Sequence, residues 1–199
     1  MKLYSSPTSP FARKVIITAA LCGLENKITL VNTDVYSPSP EYKMINPLIK
    51  LPALEMQDGK TLVNSAFICE YLNSISEKYK VLPSTSARWS ILNDQAIADG
   101  GLDAAVLRRY ESLRAPEHFD SKFDLRQKDK ILNTLEYFER RTDFFAKNWS
   151  LCEITVACLA GYLNFRFANE KLQNQFPKVF QWHDQSLKQF EFMKKTVPG

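Results

Sequence analysis

The sequence predicts an α/β domain followed by an all-α domain: a small mixed sheet built in the order βαβ then ββα, and behind it a bundle of helices. Three observations carry this. Short strand-like runs alternate with helical patterns as far as Leu82 and then cease. Asp58-Gly59 is a hairpin signal between the last two of those runs. From Ala87 onward only the 3.6-residue helical period is found, over 87–114, 122–147, 151–169 and 177–195.

The elements follow in order. Lys2-Leu3-Tyr4 reads as a short strand, and Ser5 to Ser9 as a hydroxyl-rich turn broken by Pro7. Pro10 suits the first position of a helix, where no backbone donor is lost, and Ser9 falls in the N-cap slot before it. The helix, Phe11 to Leu21, has apolar residues at 11, 15, 16 and 19 and ends at Gly23. Ile28 to Val31 is a second strand, closing a right-handed βαβ unit. Ser37-Pro38-Ser39-Pro40 opens a loop and a short helix through Tyr42 and Met44. Leu51 to Met56 leads into a third strand and Thr61-Leu62-Val63 is a fourth. Ser65 is expected to cap the next helix, whose apolar positions are 67, 68, 71, 72 and 75.

Leu82-Pro83-Ser84-Thr85-Ser86 is a breaker segment. It predicts a first domain over 1–82, a linker over 83–87 and a helical domain over 88–199. In the helical half, Ser150 and Glu153 have capping-box spacing, and Pro177 suits a first helical turn.

Composition excludes several classes. Of 199 residues 45% are hydrophobic and 24% charged, as in an ordinary globular protein. Net charge is +4, from 26 basic and 22 acidic residues, without a basic run of the kind that binds nucleic acid. No apolar stretch reaches the ~18 residues of a membrane span, and no signal-peptide core follows Met1, so neither membrane insertion nor export is expected. The four cysteines, Cys22, Cys69, Cys152 and Cys158, have no CxxC spacing, and there are two histidines. No metal site is expected, the cysteines read as buried and reduced, and the cytoplasm is the expected compartment.

Three loop positions carry chemistry. Ser9 lies at the positive end of a helix dipole, which favours a bound anion or thiolate; a plain N-cap fits the same position. A hydrolase serine would need a histidine within reach, but His118 and His183 both lie in the helical half and no GxSxG elbow is present. Leu51-Pro52 enters the third strand, where an outward-turned Leu51 backbone would pair with an extended peptide by strand addition; a proline at a strand start is also ordinary. Asn64-Ser65 begins a helix whose backbone donors suit a carboxylate, and both residues are good caps.

These segments together carry a resemblance. Ser9-Pro10-Phe11-Ala12-Arg13-Lys14-Val15, Asn46-Pro47-Leu48-Ile49-Lys50-Leu51-Pro52-Ala53-Leu54 and Asn64-Ser65-Ala66-Phe67-Ile68-Cys69-Glu70-Tyr71-Leu72 resemble, in order and spacing, the three glutathione-binding segments of the cytosolic glutathione transferases. Ala98-Asp99-Gly100-Gly101-Leu102-Asp103 and Leu159-Ala160-Gly161-Tyr162-Leu163-Asn164-Phe165-Arg166 are similar to segments of bacterial members.

The resemblance implies a thioredoxin-like N-terminal domain, a homodimer and glutathione as co-substrate, with no metal. It implies that Ser9 contacts the glutathione sulfur, with Thr8 and Ser6 as neighbours able to take that contact. Leu51, before the family's cis-proline Pro52, pairs through its backbone with the cysteine portion of the tripeptide. Asn64 and Ser65 hold the γ-glutamyl end, and Lys50 matches a basic position near the glycine carboxylate. A free thiol has a pKa of about 8.5, so only a few per cent is thiolate at neutral pH; lowering it by one unit takes about 1.4 kcal/mol. A helix dipole near its upper range with one charge-assisted hydrogen bond supplies roughly that or twice it. The thiolate then attacks a hydrophobic electrophile in a pocket expected between the domains, for which Phe11, Arg108 and Tyr110 are candidates.

Asn64 and Ile49 depart from the family pattern, as does Glu153, which stands where the capping-box acid is usually aspartate. Asn64 stands where an acid usually pairs with the glutathione amine, and Ile49 where glycine is common. Asn64 and Ile49 motivate the alternative of a binding or regulatory protein on the same fold. A glutathione-dependent disulfide reductase or peroxidase is a further alternative. Dithiol exchange by an enzyme cysteine at the first helix start is excluded, because the first cysteine is Cys22.

Overall fold

A computed structural model describes residues 1–141 and 149–198. It divides the chain into two compact units, Met1–Ser86 joined by the C-terminal residues from Lys195, and Ala87–Lys194.

The N-terminal unit has the βαβ-ββα order that the sequence predicts and is the thioredoxin-like domain that the resemblance implies. Its elements are β1 (Lys2–Ser5), α1 (Pro10–Leu21), β2 (Thr29–Asn32), α2 (Pro40–Ile45), β3 (Ala53–Glu55), β4 (Thr61–Val63) and α3 (Ser65–Ile75). The sheet order is β2-β1-β3-β4, with β1 parallel to β2 and antiparallel to β3, and β3 antiparallel to β4. Strand alternation divides β1 between two environments. Leu3 pairs in register with Leu54, and both are fully buried, as are Val15 of α1 and Ile68 and Leu72 of α3. Tyr4 points the other way and lies 5.4 Å from the ring of Tyr42 on α2.

Local rules account for the ends of α1. Ser9 caps it and Pro10 takes the first helical position. At the far end Leu24 N–H reaches Ala19 O at 2.8 Å and Gly23 N–H reaches Ala20 O at 3.0 Å. This is a Schellman stop, which needs the positive φ of 70° that Gly23 adopts. The C-terminal residues meet this unit where Arg13 Nε donates to Thr196 Oγ1 at 3.2 Å.

The second unit holds α4 (Ala87–Glu111), α5 (Ser121–Glu139), α6 (Leu151–Arg166), α7 (Pro177–Gln189) and α8 (Glu191–Lys194). Leu151, Cys152 and every residue from Ile154 to Leu163 of α6 are buried, so this is the core helix. Its capping box forms as predicted: Ser150 N–H donates to Glu153 Oε2 at 2.8 Å, and Cys152 N–H to Ser150 Oγ at 3.1 Å. Helix α7 has no N-cap side chain of its own. Glu139 of α5 serves instead, accepting from Lys178 N–H at 3.0 Å and Val179 N–H at 3.1 Å. No single helix among the described residues is long and apolar enough to cross a membrane.

Two helical expectations need correction. The pattern over 177–195 is two helices, broken at Phe190, whose backbone is extended. The break lets Phe190 and Phe192 both pack edge-on against Trp149, at 5.4 Å each. The pattern over 151–169 leaves the α-helix at Arg166 and continues as a short 3-10 turn, Ala168–Glu170. The part of the 122–147 pattern after residue 141 lies outside the described residues.

Candidate functional site

The strand register brings the three sequence-predicted loops together. Tyr4 stands opposite Ala53, and Ala53 opposite Val63. The end of β1, the start of β3 and the end of β4 therefore share one edge of the sheet. The turn leading to Ser9, the Leu51-Pro52 step and the Asn64-Ser65 corner all leave from that edge.

Ser9 is half-buried at the start of α1. Its N–H donates to Ser6 O at 3.1 Å, and its Oγ accepts from Ala12 N–H at 3.2 Å. Capping uses an oxygen lone pair, so the hydroxyl proton stays available to donate. No acidic residue occupies the first turn of α1, so this turn leaves the helix's positive end open to an anion. The neighbouring hydroxyls of Ser6 and Thr8 lie 3.5 Å apart and engage each other. Tyr4, the phenol on β1, is committed elsewhere: it donates to Glu55 Oε2 at 2.7 Å. Burial, then that hydrogen bond, pushes its pKa up to about 12.

The loop before β3 folds around one buried side chain, Asn46. Its Oδ1 accepts from Leu48 N–H at 3.0 Å, and its backbone O accepts from Ile49 N–H at 2.9 Å. Its Nδ2 donates to Lys50 O at 2.7 Å. The Tyr42 hydroxyl donates to the same carbonyl, also at 2.7 Å. Burial raises the Tyr42 pKa, which keeps the phenol a donor. Ile49 takes a left-handed φ of 52°, which a β-branched residue adopts at a cost. The Lys50 side chain is exposed. Leu51 follows, half-buried, then Pro52, buried, and the bond between them is cis. Among the described residues no backbone partner meets the N–H or C=O of Leu51.

At the third corner the cap differs from expectation. Asn64, not Ser65, caps α3: its Oδ1 accepts from Ala66 N–H at 3.0 Å and Phe67 N–H at 3.3 Å. Asn64 has a φ of 72°, and this sharp corner turns Ser65 into the first helical position, where it is buried. The first turn of α3 also lacks an acidic residue.

The three pocket candidates are divided between the units. Phe11 follows Pro10 on α1, with Lys14 Nζ 5.5 Å from its ring centre. Tyr110 is exposed on α4. The Arg108 guanidinium is held by carboxylates, at 2.9 Å from Asp124 and 2.5 Å from Glu170, and lies 4.8 Å over the Phe167 ring. Its charge is thus balanced within the helical unit.

The four cysteines are buried and none is in a disulfide. Cys69 accepts from Thr18 Oγ1 at 3.2 Å, and burial pushes the Cys22 and Cys152 thiols up, away from thiolate. Among the described residues no cluster of His, Cys, Asp and Glu could hold a metal ion. Sequence reasoning missed Tyr42 and Asn46. The Asn46-Pro47 pair was a turn signal, but nothing local indicates that Asn46 is buried or that Tyr42 reaches Lys50.

Comparison with known proteins gives this geometry a family. The family model described as "Glutathione S-transferase, N-terminal domain" matches residues 8–75, which include Ser9, Leu51-Pro52 and Asn64-Ser65. The "Uncharacterized GST-like protein YibF" of Escherichia coli (strain K12) is 32% identical, with 83% of each chain covered. A glutathione transferase family member from Pseudomonas fluorescens Pf-5, solved with bound glutathione, is 33% identical with a TM-score of 0.93, covering 100% of this chain and 98% of that one. A glutathione S-transferase from Methylobacillus flagellatus KT, solved with glutathione bound, is 29% identical with a TM-score of 0.91, covering 100% and 99%. With these matches over most of its length, this chain belongs to the glutathione transferase family.

Proposed function

We propose that this protein is a glutathione transferase that activates the glutathione thiol for attack on a hydrophobic electrophile. The observation that carries the reading is the shared sheet edge. It sets a hydroxyl donor at a helix N-terminus (Ser9), an open backbone edge (Leu51) and a second helix start (Ser65) where a short peptide thiol can meet all three.

In this reading the tripeptide lies along Leu51 as an added strand. Its γ-glutamyl carboxylate meets the N-terminus of α3 and the Ser65 hydroxyl, and Lys50 approaches the glycine carboxylate. Ser9 donates its proton to the sulfur as a hydrogen bond. The thiol proton goes to solvent, the sulfur lone pair forms a bond to the electrophilic carbon, and the leaving group departs with its electron pair. We also place the protein in the cytoplasm, and as a homodimer, whose mass light scattering on the purified chain tests.

A binding or regulatory role is the second reading, and two observations favour it. Asn64 brings no charge for the glutathione ammonium, and Ile49 places a branched side chain beside Leu51. One experiment separates the readings. The protein is titrated with glutathione calorimetrically and assayed for conjugation to an aromatic halide, a hydroperoxide and a mixed disulfide. Saturable binding with halide turnover supports the transferase; binding without turnover supports the second reading. Turnover confined to the hydroperoxide or disulfide would make it a glutathione-dependent peroxidase or reductase. Absence of glutathione binding by a folded dimer ends the enzymatic readings and favours the second one.

A further inference from the structure

We infer that Tyr42 and Asn46 are positioning residues that aim the Leu51 N–H at a bound peptide thiol. The inference rests on the glutathione reading above and adds to it two residues that do not touch the ligand.

Lys50 C=O and Leu51 N–H belong to the same planar group, and its bond is not among the cis bonds of the chain. In a trans peptide the C=O and N–H point in opposite directions, so fixing one direction fixes the other. The Lys50 carbonyl is fixed twice, by Tyr42 Oη and Asn46 Nδ2, each at 2.7 Å. A carbonyl oxygen has two lone pairs, and these donors occupy both.

Both donors are themselves held. Tyr42 is 3% exposed, with its ring against Tyr4, and Asn46 is 1% exposed. Asn46 N–H also donates to Tyr42 O at 2.9 Å, which ties the two residues together at the end of α2. Two inward anchors on Lys50 O therefore leave Leu51 N–H directed away from them, and among the described residues it has no backbone partner. An edge donor whose direction is set before binding loses less freedom when a ligand carbonyl meets it.

Two variants test this. Tyr42→Phe removes one donor and keeps the ring packing on Tyr4. Asn46→Asp keeps the acceptor for Leu48 N–H but turns an oxygen against the Lys50 carbonyl. Glutathione is titrated calorimetrically into wild type and both variants, and conjugation kinetics are measured with glutathione and halide varied separately. For Tyr42→Phe the dissociation constant and KM for glutathione are expected to rise about three- to tenfold, with a larger rise for Asn46→Asp. The halide KM is expected to stay within a factor of about two, because the change falls on one ligand's binding.

If wild type binds glutathione and both variants bind it within a factor of about two of wild type, the inference is overturned and the glutathione reading stands. If kcat and both KM values worsen together in each variant, Tyr42 and Asn46 support the fold generally and the inference is likewise overturned. If folded wild type fails to bind, the glutathione reading itself fails.

Discussion

Ser9 Oγ accepts the backbone N–H of Ala12 at 3.2 Å, so one atom both caps α1 and carries the proton that a thiolate would need. Ser9→Asp and Ser9→Ala separate the two roles. Aspartate caps as well as serine but has no proton to give and adds a negative charge. Its thermal stability should stay near wild type while conjugation falls roughly ten- to a hundredfold. Alanine should lose that activity and also about 1 kcal/mol of stability. Wild-type turnover by Ser9→Asp would remove Ser9 from the mechanism and move attention to Thr8 and Ser6.

Asn64 caps α3 through Oδ1 alone, so Asn64→Asp keeps the cap and adds the missing charge. The new carboxylate gains about 0.3–1 kcal/mol from the helix dipole. Because residue 64 is exposed, its pairing with the glutathione ammonium should tighten binding only about two- to fivefold, less at high salt. Calorimetry at two salt concentrations measures this; an unchanged affinity would place the γ-glutamyl amine elsewhere.

Two adjacent glycines on α4 should respond oppositely to alanine. A Cβ on Gly100 meets nothing within 4 Å, so Gly100→Ala should stabilise by about 0.5–1 kcal/mol through helix propensity. A Cβ on Gly101 would fall 2.7 Å from Thr134 Cγ2 and 2.9 Å from its Cβ, where α4 crosses α5. Gly101→Ala should cost a net of about 1–2 kcal/mol, and adding Thr134→Ala should restore part of it. Denaturant unfolding of the three variants decides; equal effects at both glycines would refute the close crossing.

Glu153 closes the α6 capping box from a half-buried position. Burial raises its pKa above the usual carboxylate value, although hydrogen bonds from Ser150 oppose the shift. A raised folded-state pKa means that the folded chain holds the proton more tightly. The stabilising contribution is complete below the unfolded value and is lost as pH rises through the folded one. Glu153→Gln keeps a capping-box side chain without the ionisable group. The stability of wild type relative to Glu153→Gln should therefore fall as pH rises from the acid range toward neutrality. Thermal unfolding of both proteins across that range checks the sign; a difference that grows with pH would contradict it.

How far the sequence could be read follows from the distance between interacting residues. Ser9, Pro10 and Gly23 bounded α1 correctly because caps and stops involve groups a few residues apart. Ser150 and Glu153 formed their box for the same reason. Asn64 and Ser65 were both good caps, and choosing between them took the positive φ at Asn64, which the corner after β4 imposes. Arg108 read as a candidate pocket cation; its partner Glu170 arrives from beyond α6. Nothing in the local sequence marked Tyr42 and Asn46 for this role, because their significance lies in one carbonyl that both can reach only after the loop has closed.

Periodicity, turn chemistry and composition were thus enough for the order of elements, the two-part architecture and the three loop motifs, since each depends on contacts local in the chain. The meeting of those loops was decided by the register of β1, β3 and β4, which places Tyr4, Ala53 and Val63 side by side. The choice of cap at α3, the break at Phe190 and the anchoring of Lys50 O were decided in the same way. Each depends on hydrogen bonds or packing with groups that local sequence leaves unspecified and that only the closed fold brings within reach.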